Sequence, residues 1–84
     1  MINQKLVTDD YYSTSDLALA TAISLFYPID LIDHRNPQKA EFLFKRSNQI
    51  DKLVESFFRG EMRVSPQAYF FQLRSIKTRL REAK

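Results

Sequence analysis

The amino-acid sequence predicts an α+β fold in the order helix, β-hairpin, helix, helix, with a small antiparallel sheet packed on three helices. Three observations predict it. Apolar residues recur at helical spacing in segments 50–58 and 69–83, residues 39–46 alternate between apolar and polar, and an Asn-Pro turn precedes that alternation. A chain of 84 residues has room for one domain. We assign residues 12–84 to a compact domain and residues 1–11 to an N-terminal arm or a short edge strand.

The first helix is expected to begin near Ser13. With Ser13 as the N-cap, Asp16 falls at position N3, which resembles a capping box. Residues 17–26 are apolar on nearly every side, which is typical of a central helix. Pro28 ends the helix, because the residue before a proline disfavours the helical conformation.

The hairpin is expected to join a strand at residues 29–34 to a strand at residues 39–46. In the second strand Glu41 and Lys45 fall on the polar face. The apolar face of that strand comprises Ala40, Phe42 and Phe44. A hairpin alone is marginally stable in water, so this one must lie against the helices.

The second helix has the clearest pattern in the chain. Ser47 or Asn48 is expected to cap it, and its apolar positions follow the spacing i, i+3, i+4, i+7, i+8. These positions are Ile50, Leu53, Val54, Phe57 and Phe58. Gly60, the only glycine, stands where a left-handed C-cap is expected.

The third helix is expected to start at Ser65-Pro66, with the serine as N-cap and the proline at N1, and to run to about Glu82. Its apolar side comprises Tyr69, Leu73, Ile76, Leu80 and Ala83.

Composition excludes several classes of protein. Cysteine is absent, so disulfides, thiolate zinc sites and thiol nucleophiles are excluded. The longest apolar run, residues 17–32, is too short and too interrupted to span a bilayer, and the first twelve residues lack the apolar segment of a signal peptide. We therefore expect a cytoplasmic protein without a membrane contact.

The net charge of +3 conceals an asymmetry. Residues 1–34 carry one basic and five acidic side chains, whereas residues 35–84 carry twelve basic and five acidic ones. Such a division favours an anionic partner or self-association between acidic and basic surfaces. Alternatively, these charges only solvate the helices.

No constellation of residues indicates catalysis. His34 is the only histidine and stands beside Asp33 without a second metal ligand or a nucleophile, and a phosphate-binding loop would need more glycines than one. Nothing combines a nucleophile, a base and an oxyanion donor. We expect no enzyme, no cofactor, no metal site and no small-molecule substrate.

The last helix carries a basic stripe. Its members fall within about 80° of arc, and Phe70 lies inside that arc. They are Arg74, Lys77, Arg81 and Lys84, with Arg59 and Arg63 near the preceding turn. Basic residues with an interleaved aromatic are typical of nucleic-acid surfaces. Alternatively, Phe70 belongs to the core shared with the second helix, and the cations interact with the helix dipole.

Tyr69, Phe70 and Phe71 cannot all face one core, because three successive residues span about 200° of a helix. Phe71 falls opposite the apolar side. Either the hairpin or the N-terminal arm covers it, or it belongs to a self-association surface. Tyr11 and Tyr12 raise the same question, so we regard these two tyrosines, Phe70 and Phe71 as candidate protein-interface residues.

Four segments carry a family resemblance: residues 12–20 with the motif Tyr-x-Thr-x-Asp-Leu-x-Leu-Ala, the strand 42–44, residues 53–58 and residues 64–77. Over about residues 11–81 the chain resembles a family of short prokaryotic and phage proteins that is a domain of unknown function. The resemblance implies a prokaryotic or phage origin and a stand-alone protein, and it implies no catalytic residues. Tyr27-Pro28 stands where the family has a glycine after the first helix.

The sequence therefore favours a non-catalytic protein-interaction module, whose partner is another protein or a second copy of itself. The alternative is a small nucleic-acid-binding accessory protein that uses the basic C-terminal helix.

Overall fold

The structure, a computed structural model, describes residues 10–36 and 38–82. Its elements are strand β1 (Tyr11–Thr14), helix α1 (Leu17–Ser24), strands β2 (Leu31–Asp33) and β3 (Glu41–Lys45), and helices α2 (Asn48–Phe58) and α3 (Pro66–Glu82). The predicted α+β architecture with the order helix, hairpin, helix, helix is confirmed, and strand β1 precedes the first helix.

β3 is the central strand of a three-stranded antiparallel sheet with the order β1-β3-β2. β2 and β3 form the predicted hairpin, in which Leu31 lies opposite Leu43. β1 pairs with the other edge of β3, starting with Tyr11 opposite Lys45. Of the segment 1–11, the first nine residues lie outside the part of the chain that the structure describes.

Helix α1 begins later than predicted, because the residues before it join the sheet. The prediction that Ser13 is the N-cap is wrong: Ser13 lies in β1, and its hydroxyl donates a hydrogen bond to the Glu41 carboxylate. Asp16 is the N-cap instead, and its carboxylate accepts a hydrogen bond from the Leu19 N–H at 3.1 Å. Pairing of β1 with β3 gives the backbone N–H and C=O groups of this segment hydrogen-bond partners. At the start of a helix the same N–H groups would have depended on a capping side chain.

Helix α1 forms the centre of the core. Its residues 19–23 are all buried, with 0–2% of their surface exposed. A helix of eight residues is not stable alone in water, so α1 depends on α2, α3 and β1, which pack against it. The buried Thr21 hydroxyl donates to the Leu17 carbonyl at 2.8 Å, so no unpaired donor is buried there.

β3 contributes three consecutive buried residues. Phe42 and Phe44, predicted on the core side, are 2% and 0% exposed. Leu43 points to the opposite face of the strand and is still only 8% exposed. The reason is the central position of β3, since Leu43 lies between Ser13 of β1 and Leu31 of β2.

Helix α2 follows its prediction except at its last residue. Ser47 is the N-cap and accepts a hydrogen bond from the N–H of the buried Ile50 at 3.1 Å. The side chains of Leu53, Val54 and Phe57 pack against the core. The prediction that Phe58 joins them is wrong, because this ring stands at the end of α2 and is 66% exposed.

The end of α2 confirms the predicted left-handed cap. Gly60 has a φ of +72°. Its N–H donates to the Phe57 carbonyl at 3.0 Å, and the Glu61 N–H donates to the Ser56 carbonyl at 2.9 Å. These two bonds are those of a Schellman motif, which pairs the last carbonyls of a helix.

Helix α3 has the predicted start. Pro66 is its first residue, and the Ser65 hydroxyl accepts a hydrogen bond from the Ala68 N–H at 3.3 Å. Glu82, the last residue that the structure describes, still belongs to the helix.

Replacing Gly60 with Ala is expected to lower the free energy of unfolding by about 1–2 kcal/mol, because a Cβ disfavours a positive φ. The space around the position is open, with nothing within 4 Å of a Cβ built there, so the loss is conformational and not steric. Urea denaturation measures it. The matched control is Gly60→Asn, which tolerates the left-handed region better and should lose less; an Ala variant as stable as the parent would contradict the assignment.

Candidate functional site

Helix α3 has a buried side that fixes it to the core. Ile76 is 0% exposed. Tyr69, Leu73 and Leu80 are half-buried. The Gln72 side-chain amide donates to the Ser24 hydroxyl at 2.9 Å, which links α3 to the end of α1. Ala83, predicted on the same side, lies outside the described residues.

The other side of α3 exposes two adjacent phenylalanines. Phe70 is 60% exposed and Phe71 is 66% exposed. The alternative that placed Phe70 in the core is therefore wrong, and the hairpin does not cover Phe71. The physical reason is that α3 packs against α1 with one side, and Tyr69, which is half-buried, lies on that side.

Three cations share the exposed side with these rings. Arg74, Lys77 and Arg81 are exposed and lie within about 40° of Phe70 around the helix. Among the residues that the structure describes, no carboxylate pairs with any of the three. We call Phe70, Phe71, Arg74, Lys77 and Arg81 the aromatic–basic face. Lys84, the fourth predicted member of the stripe, falls outside the described residues.

A cation–π contact joins the two kinds of side chain on this face. The guanidinium carbon of Arg74 lies 5.7 Å from the centroid of the Phe71 ring. An exposed contact of this kind stabilises the arrangement by about 0.5–1 kcal/mol. It holds a positive charge beside a flat apolar ring. Such a pair can bind a carboxylate or phosphate through the cation and an apolar or aromatic group through the ring.

Arg59 and Arg63, predicted near the turn before α3, belong to the chain segment between α2 and α3. The Arg59 guanidinium donates to the Glu55 carboxylate at 3.0 Å, across one turn at the end of α2. Arg63 is exposed in the connection between α2 and α3. Both arginines therefore lie outside α3, and the charge of Arg59 is partly offset by its partner.

The two tyrosines predicted at an interface lie on β1. Tyr12 packs against the core cluster, and burial, followed by the nearby Asp16 carboxylate, raises the pKa of its hydroxyl. Tyr11 is half-buried opposite Lys45. The ring of Tyr12 thus serves packing, whereas Phe70 and Phe71 of α3 are exposed.

Asp33 forms an ion pair with Arg35, two residues later in the chain. The Arg35 guanidinium donates to both carboxylate oxygens of Asp33, from Nε to Oδ1 at 3.0 Å and from Nη2 to Oδ2 at 2.6 Å. The side-chain bonds from Arg35, and then the bond from its backbone N–H, lower the pKa of Asp33 to about 2. A carboxylate held in this way is a poor proton acceptor near neutral pH. His34 beside it is exposed.

A groove that the sequence did not reveal lies between the end of α1 and the side of α2. It has two adjoining compartments of about 370 and 530 Å³, which share Tyr27 and Gln49 as lining residues. Phe26 and Leu53 line the smaller compartment. The one signal in the sequence was the aromatic pair Phe26-Tyr27, which follows an apolar helix and precedes a proline.

Within the described residues, no group of three or more potential metal-ligating side chains comes together. None of the helices in this part of the chain is both long and apolar enough to cross a membrane.

Comparison with known protein families assigns the chain to a family. A family model matches residues 9–82. The chain belongs to the DUF5659 family, a domain of unknown function. The match spans every strand and helix described above, so the aromatic–basic face and the groove both lie within the DUF5659 domain. Neither a curated protein nor a solved structure shows significant similarity to the chain.

Proposed function

We propose that this protein is a non-catalytic interaction module that binds a protein partner through the aromatic–basic face. The observation that carries the proposal is the exposure of Phe70 and Phe71, 60% and 66%, on a helix whose opposite side already anchors it to the core. Burial of such rings contributes about 1.5–3 kcal/mol each when they are fully removed from water, which neither ring achieves within the described fold.

The composition of the face supports a protein partner. Aromatic residues and arginine are enriched at the centres of protein interfaces, where they account for most of the binding free energy. The face presents both kinds of residue together, because Arg74 lies over the ring of Phe71. The cations favour a partner with acidic groups, and the acidic half of a second copy of this chain meets that description.

A cytoplasmic location and a prokaryotic or phage origin belong to the same proposal. The absence of cysteine supports the first, since a reducing compartment offers no disulfides to a small domain. The proposed module needs neither cofactor nor small-molecule substrate.

The double variant Phe71→Ser with Arg74→Glu is expected to lose its partner, because it removes one ring and reverses the charge beside it. The matched control is Arg79→Glu, which changes the same charge roughly 140° around the helix from Arg74. Pull-down from nuclease-treated lysate of the native host, quantified by mass spectrometry, measures binding to another protein. Light scattering measures self-association. We expect about tenfold less of the specific partner, or of the dimer, with the double variant only.

Equal recovery with the parent and both variants, together with a monomer in light scattering, would contradict the proposal.

Nucleic-acid binding is the second candidate, and the position of Phe70 favours it. This exposed ring lies inside the arc of Arg74, Lys77 and Arg81, where it could stack on a base while the cations contact phosphates. Binding of labelled single-stranded DNA or RNA in a gel shift should weaken steeply as salt rises. Changing Arg74, Lys77, Arg81 and Lys84 to Gln should abolish the shift. A quadruple variant that binds as well as the parent, or no shift at low salt, would exclude this candidate.

A further inference from the structure

The groove beside α2 is built on a fixed apolar surface. Phe26 is 50% exposed and Tyr27 is 37% exposed, directly after the end of α1. Their N–H groups both donate to the Ile23 carbonyl, at 2.9 and 3.0 Å, so the backbone that carries the two aromatics is hydrogen-bonded to the end of α1. Leu53, which packs against the core, lines the same compartment. A site whose backbone is already ordered loses less entropy when it binds.

The charge around the groove is mainly positive. Lys45, Arg46 and Lys52 line it, whereas Asp30 is the one acidic lining residue among those that the structure describes. Arg46 forms an ion pair with Asp51, in which Nε lies 3.6 Å from Oδ1. In the described part of the chain no carboxylate pairs with Lys45 or Lys52. A ligand with acidic groups would complement these two cations.

The shape favours an extended ligand. The compartments of about 370 and 530 Å³ lie within the range of ligand-binding clefts, and they adjoin at Tyr27 and Gln49. The smaller one presents Phe26 and Leu53, and Lys52 stands at its wall. Lys45 lines the larger one. An apolar side chain fits the first compartment while the chain that carries it follows the second.

We infer that this groove is a second binding site, which accepts an acidic peptide segment carrying a large apolar side chain. The apolar side chain packs between Phe26, Tyr27 and Leu53, and flanking carboxylates interact with Lys52 and Lys45. The site lies on other elements than the aromatic–basic face and does not depend on the function proposed for that face.

Panning a phage-displayed library of random peptides against the full chain tests this site. We expect enriched peptides to be net negative and to contain an aromatic or long aliphatic residue. Fluorescence polarisation of one enriched, labelled peptide should show about tenfold weaker binding to Lys52→Glu and to Tyr27→Ser. The first variant removes the interaction with the carboxylates of the peptide, and the second removes packing against its apolar side chain. Arg79→Glu, a charge reversal at an exposed position of α3 outside the aromatic–basic face, is the matched control and should bind like the parent. Circular dichroism checks that each variant is folded.

Four results would overturn the proposal. Enriched peptides without an acidic bias, or no enrichment, would exclude the ligand class. A peptide that binds folded Lys52→Glu and Tyr27→Ser as tightly as the parent would place the binding site elsewhere on the protein. A peptide that binds Lys77→Glu more weakly than the parent would place it on the aromatic–basic face. A dimer of the parent that Lys52→Glu dissociates in light scattering would assign the groove to a second copy of the chain.

Discussion

The burial of helix α1 is the constraint on which the rest of the fold depends. Five consecutive residues, 19–23, are almost completely removed from water, yet the helix has only eight residues and cannot persist alone. The sheet must cover it on one side and α2 and α3 on the others. Phe42 and Phe44 of β3, Ile50 of α2 and Ile76 of α3 complete this cluster with α1. Without disulfides or described metal ligands, a domain of this size relies on that single cluster for its stability.

Enclosure of α1 also determines which surfaces are left for binding. A short helix offers α3 room for one side only, so the opposite side of α3 remains exposed and carries Phe70, Phe71 and the cations. Because α1 stops at Ser24 while α2 continues alongside the following turn, a groove remains between that turn and α2. Both candidate binding surfaces are thus consequences of how the core is closed. They differ in chemistry, since one is an exposed helix side of rings and cations and the other is a groove with an apolar compartment beside a more polar one that Lys45 and Arg46 line.

Local signals predicted most of the architecture, and contacts distant in sequence account for what was missed. Ser47, Gly60 and Ser65-Pro66 each act through neighbouring residues, so α2 and the start of α3 were predictable. Ser13 could have capped a helix, but it belongs to β1 because of pairing with β3, about thirty residues away. Helical spacing gave the directions of Phe58 and Phe70 but not whether another element would cover them, and none does enough to bury them. The groove escaped prediction for the same reason, since Phe26 and Leu53 come together only in the folded chain.

The division of α3 into a structural side and a binding side can be measured directly by comparing two substitutions in urea denaturation. Ile76→Ala should lower the free energy of unfolding by about 2–5 kcal/mol, because it opens a cavity at a fully buried position. Phe71→Ala should lower it by less than about 1 kcal/mol, since only an exposed ring and its contact with Arg74 are lost. Comparable losses for the two variants would contradict this division and show that the exposed rings of α3 serve the fold.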